Sequence, residues 1–157
     1  GITEVNQDPA WSPDGTRLLF SRQGSGQLEL WTVRVDGALP ATPTPFLAVA
    51  GHDLRNPSWH RDGNLVAFQA RDGMTGSVRV LFAAGETGAL VHPLFPPPEG
   101  ATRPALIGGD WIGVVALEGM PGSTVPTLHV RQLNGLRISV PFPTWMGRVV
   151  AVAAPGG

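Results

Sequence analysis

The segment Pro9-Ala10-Trp11-Ser12-Pro13-Asp14-Gly15 returns 48 positions later as Pro57-Ser58-Trp59-His60-Arg61-Asp62-Gly63, and each copy runs into a short apolar stretch ending at Phe20 or Phe68. The two copies align without a gap, so Leu18, Leu19 and Phe20 fall on Val66, Ala67 and Phe68. A fixed internal period of this length marks a repeat protein, in which one supersecondary unit is copied and stacked. The apolar residues are consecutive, whereas a helical solenoid would space them three or four apart. Such a run suits a strand covered on both faces.

Asp14-Gly15 and Asp62-Gly63 stand between the Trp segment and the apolar run, where a tight hairpin needs residues that accept positive φ. Leu28 to Val35 forms a further strand before a turn at Asp36-Gly37, and Val78 to Phe82 does so before Gly85; Gly37 and Gly85 keep the 48-residue offset. Pro45 to Val49 and Leu90 to Phe95 complete the units as outer strands, where proline suits an unpaired edge. Units of this kind predict an all-β fold, a β-propeller segment of about three four-stranded antiparallel blades with partial blade strands at both ends.

A third unit is more diverged. Arg103-Pro104-Ala105-Leu106 falls on Asn56-Pro57-Ser58-Trp59, followed by Trp111 to Ala116, Thr127 to Leu133, a turn at Asn134-Gly135 and Arg137 to Val140. Pro143-Thr144-Trp145 and Arg148 to Val152 read as the opening of a fourth unit, and Ile2 to Val5 as an orphan outer strand. The expected organisation is one propeller segment over 1–157, with units at about 8–55, 56–102 and 103–142, a partial unit at 143–157 and the strand at 2–5. A full ring needs about four to eight blades. The expectation is therefore that the chain is part of a longer protein, or that copies assemble, two of which could close about a two-fold axis, or that the propeller is incomplete.

With 42% hydrophobic and 15% charged residues, the 157-residue chain has an ordinary globular composition. All 11 basic residues are arginine and the net charge is -1, which gives no cationic footprint for nucleic acid. There is no cysteine, hence no disulfide and no thiolate chemistry. No apolar stretch reaches membrane-spanning length, so membrane insertion is not expected.

Asp8 to Ser21, reading Asp-Pro-Ala-Trp-Ser-Pro-Asp-Gly-Thr-Arg-Leu-Leu-Phe-Ser, closely resembles the signature of TolB-type, WD-like β-propeller repeats of bacteria. The second unit fits with His60-Arg61 in place of Ser-Pro. The resemblance implies a non-enzymatic binding scaffold, periplasmic or extracellular, for a protein or peptide partner. The alternative it admits is the accessory, substrate-gating propeller of a prolyl-oligopeptidase-like serine peptidase, whose catalytic domain would lie outside this chain.

The tryptophans Trp11, Trp59 and Trp145 recur at the start of successive units, as packing between blades requires. Replacing Trp11 with alanine is then expected to cost about 3–5 kcal/mol. Asp14, Asp36 and Asp62 are expected to serve their turns. The four histidines, His52, His60, His92 and His129, show no metal-ligand spacing. No metal and no cofactor is expected. Ser25 and Ser123 lie outside any Gly-x-Ser-x-Gly elbow, so no catalytic residue is assigned. The connections from each outer strand to the next innermost strand gather at one mouth of a propeller, and loops there carry function. They supply Asp8, His52, Asp53, Arg55, Asn56 and Arg103, a mixed polar rim suited to a peptide or a polar small molecule.

Overall fold

The computed structural model describes residues 6–37, 41–92, 97–107, 111–120, 123–132 and 137–141. These residues build three four-stranded antiparallel sheets. The first contains β1 (Asn6–Trp11), β2 (Arg17–Gln23), β3 (Leu28–Arg34) and β4 (Thr44–Leu47), hydrogen-bonded in that order. The second contains β5 (His52–Trp59), β6 (Leu65–Asp72), β7 (Val78–Ala84) and β8 (Leu90–Val91); the third contains β9 (Thr102–Ile107), β10 (Trp111–Met120), β11 (Ser123–Gln132) and β12 (Arg137–Pro141). The strand at 2–5 and the partial unit at 143–157, with Trp145, lie outside the described residues.

Each sheet is a blade, and the blades stack through their first strands. β5 packs on β1, β2 and β3, and β9 packs on β5, β6 and β7. The first seam joins Leu19 and Leu30 of the first blade to Leu54, Trp59, Val66, Phe68 and Ala70 of the second. Ala67, Val80 and Phe82 face the other way, into a second seam with Leu106, Ile112, Val114 and Ala116. Side chains alternate across a strand, so an uninterrupted apolar run gives the middle strand of a blade a hydrophobic face on each side. Val66, Ala67 and Phe68 are all fully buried for this reason.

The hairpins before β2 and β6 owe their shape to both of their signature residues, in different ways. Gly15 and Gly63 donate to the carbonyls of Ser12 and His60, and take φ of 70° and 76°. Asp14 and Asp62 do not adopt positive φ. They act through their carboxylates: Asp14 accepts from the Ser12 hydroxyl at 2.6 Å and the Thr16 amide at 3.0 Å, while Asp62 accepts from the Asn64 amide at 2.9 Å and lies 2.7 Å from His60 Nδ1.

The Ser12 and Thr16 bonds favour the charged carboxylate and lower the Asp14 pKa from 3.8 to about 2. A depressed native pKa adds stability that is complete above the unfolded value and is lost as pH falls through the native one. Asp14→Asn is thus expected to lower the urea midpoint at pH 6, with the difference closing as the pH falls from about 4 towards 2. Equal midpoints at pH 6 would refute a role for this carboxylate in the turn.

The tryptophans are not equivalent, which corrects the expectation for Trp11. Trp59 is 7% exposed, with Phe46 at 6.3 Å between ring centroids and the Arg17 guanidinium 4.9 Å above its ring. Trp11 is 58% exposed. The physical reason lies in the direction of packing: Trp59 is buried by the preceding blade, and among the described residues no blade precedes the one that carries Trp11. Pro9 is likewise exposed where its repeat partner Pro57 is buried. In the second seam, Leu106 takes the position of Trp59 and is 2% exposed. Leu65 stands where Arg17 does and packs against that cluster, so an apolar contact replaces the cation–π pair.

Candidate partner-binding site on the inner strands

β1, β5 and β9 share one irregularity. In β1, Gln7 pairs with Ser21 and Ala10 with Leu19, so Asp8 and Pro9 together oppose the single residue Phe20. Asn56-Pro57 opposes Phe68 in the same way, and Arg103-Pro104 opposes Val114. Each is a β-bulge, with two residues facing one. Proline fits the second position because it brings no amide that the interrupted ladder would leave unpaired. The first residue is left-handed in all three, with φ of 54° at Asp8, 48° at Asn56 and 49° at Arg103. These are all the described non-glycine residues with positive φ.

The six expected rim residues lie within β1, β5 and β9 and not on the connections between strands, and the bulges bring Asp8, Arg55 and Asn56 together across the first seam. The Asn56 amide donates to Asp8 Oδ2 at 3.3 Å, and Arg55 Nη1 donates to Gln7 Oε1 at 3.4 Å. Asn56 also donates through Nδ2 to Gln69 Oε1 at 3.2 Å. Across the second seam the Leu106 amide donates to Ser58 Oγ at 2.9 Å. Polar groups of the first strands therefore form rungs from blade to blade.

Two rim residues are tied into the scaffold. Asp53 Oδ1 accepts the Leu28 amide at 2.8 Å, which holds the hairpin between β2 and β3 against the second blade. Gln27 reinforces this join by donating to the Val49 carbonyl and accepting from the Gly51 amide, both at 3.0 Å. His52 Nδ1 donates to the Ala50 carbonyl at 2.9 Å, which leaves Nε2 to accept from Arg79 Nη2 at 3.1 Å. Asp72, 3.8 Å from the same ring, is held below the usual carboxylate range chiefly by the Thr75 and Met74 amides. Arg103 is half-buried and has no hydrogen bond or ion pair with the described residues.

Gln7 was not singled out from the sequence, although it carries the acceptor for Arg55. The signal was present in its place in the repeat, 48 positions before Arg55. Among the described residues no three metal-ligating side chains gather, and no helix is long and apolar enough to cross a membrane.

No family model matches the chain. Over 101 residues, 63% of this chain, it is 29% identical to the lasso peptide isopeptidase AtxE2 of Asticcacaulis excentricus, covering 13% of that protein. Among solved structures it is similar to TolB from Acinetobacter baumannii, with a TM-score of 0.67 and 20% identity over 87% of this chain and 32% of that one. It is also similar to the β-propeller domain of the Trilobed protease from Pyrococcus furiosus, with a TM-score of 0.61 and 14% identity over 85% of this chain and 42% of that one. The chain thus spans less than half the length of each of these three. Three antiparallel blades stacked through their first strands, with these likenesses, make the chain an all-β segment of TolB-like β-propeller fold.

Proposed function

We infer that the chain is a non-enzymatic binding scaffold which holds a protein or peptide partner along its inner strands, in the periplasm or outside the cell. The supporting observation is the rung formed by Gln7, Asp8, Arg55 and Asn56 across the first seam. Several polar side chains from separate blades converge there on rigid strands, which is how a site gains orientation without mobile loops. The cell-envelope location follows the likeness to TolB and is part of the same reading. A photo-crosslinking residue at Asn6, exposed on β1, is expected to yield a discrete adduct with a protein of an envelope extract. The same residue at Asp36, in an exposed turn, is expected to yield none. Equal labelling from the two positions, or no adduct from Asn6, would overturn the reading.

A second reading is favoured by the 29% identity to an isopeptidase and the likeness to a protease propeller. In it the chain is the accessory, substrate-gating propeller of a prolyl-oligopeptidase-like serine peptidase. A hydrolase segment with a Gly-x-Ser-x-Gly elbow in the same reading frame would decide for it, and a reading frame without one would remove it.

A further inference from the structure

We propose that the inner strands select a partner bearing a carboxylate, and that Arg103, with Arg55 beside it in the repeat, is the group that recognises it. The proposal rests on the inner strands being the binding surface and adds the chemistry of what they bind.

The three bulge positions are equivalent in backbone but not in side chain. Asp and Asn are the non-glycine residues that best tolerate left-handed φ, and the first two blades use them. The third uses arginine, for which that conformation is strained. Nor can arginine do what Asp8 does in the first blade, which is to accept the amide of the next bulge at Asn56, because a guanidinium accepts nothing. An asparagine would suit the backbone better.

The charge of Arg103 is also unanswered among the described residues. Arg17 donates to the Gly85 carbonyl and covers Trp59, Arg22 covers Trp31, and Arg34 is paired with Asp36. Arg79 donates to His52. Arg61 and Arg71 are exposed, where water solvates them. Arg103 is half-buried and meets no acceptor among the described residues. Arg55, also half-buried, meets only the neutral amide of Gln7 at 3.4 Å. The nearby acid, Asp8, is already engaged by the Asn56 amide. A partly desolvated guanidinium has much to gain from a carboxylate, which it can grip through two parallel hydrogen bonds.

Two sources of that group are distinguishable, an acidic side chain and a peptide C-terminus. The test follows the arginine Nε–Hε resonances of the ¹⁵N-labelled chain by NMR during titration with three blocked peptides. These are acetyl-tetraglutamate amide, acetyl-tetraalanine with a free carboxylate, and acetyl-tetraserine amide. Arg103 is expected to shift with one or both carboxylate probes and not with tetraserine, while Arg61 stays still. Arg103→Gln is expected to weaken the effective probe at least about tenfold, the usual consequence of losing a charged hydrogen bond.

Arg103→Gly separates recognition from architecture. It is expected to raise the denaturation midpoint, because glycine accepts the left-handed backbone, while abolishing the response to the carboxylate. Unchanged affinity in Arg103→Gln would overturn the proposal, as would equal shifts at Arg61. Binding of tetraserine in preference to both carboxylates would sink the charge selection and leave the binding surface standing. No response to any peptide, together with no crosslink from Asn6, would remove both.

Discussion

Trp59→Ala is expected to destabilise the protein by about 3–5 kcal/mol, whereas Trp11→Ala should change stability by no more than about 0.5 kcal/mol. The two residues occupy the same place in the repeat. Only Trp59 has a neighbouring blade against it: Leu19 and Leu30 from the first blade share its cluster, and Phe46 and Arg17 pack against its ring. Truncation would remove that contact area and leave a cavity which two rigid sheets cannot close. The Trp59 indole Nε1 is buried without a hydrogen-bond partner among the described residues. Phenylalanine in its place would therefore lose less than alanine, since it keeps the aromatic contact and removes an unsatisfied donor. Urea denaturation of the three variants checks the order, and equal losses from Trp11→Ala and Trp59→Ala would refute the assignment of Trp59 to the seam.

Gly85→Ala should rank second, with a loss of about 1–3 kcal/mol from overpacking. A methyl group at Gly85 would run into the Gly63 carbonyl oxygen and lie 2.9 Å from Trp59 Cζ3. Neither neighbour yields easily. Gly63 belongs to the hairpin before β6, and the Gly85 amide donates to the Asn64 carbonyl of that hairpin at 2.8 Å. Arg17 Nη1 adds a bond to the Gly85 carbonyl at 3.2 Å, so a shift here also disturbs the cation above Trp59. Gly37 is the internal control: it keeps the same repeat offset, but a Cβ there would meet nothing within 4 Å. Gly37→Ala should therefore leave the midpoint close to that of the parent, and matching losses at the two glycines would refute the close approach at Gly85.

The repeat made Trp11 and Trp59 look alike because spacing encodes a position within a blade. Burial depends on the blade next door. The same limit applies to the bulges. Asp8-Pro9, Asn56-Pro57 and Arg103-Pro104 were visible as dipeptides at corresponding places, but residues before proline adopt extended backbone more often than left-handed backbone. Nothing local marked the two-against-one pairing with Phe20, Phe68 and Val114. The residues expected at the rim were visible as polar residues, but their different bonding was not. That His52 and Asp53 fasten strands and hairpins, while Asp8, Arg55 and Asn56 meet across a seam, follows from pairs up to 48 residues apart.

By itself the sequence determined the architecture. Hairpins need particular turn residues, and strands covered on both faces need unbroken apolar runs, so the two requirements repeated in register specify stacked four-stranded blades. The tertiary structure alone decided which copy of each repeated residue is buried, which bulge brings its side chain to a partner, and that Arg103 meets none among the described residues. Those outcomes depend on contacts between blades, which a period along the chain does not describe.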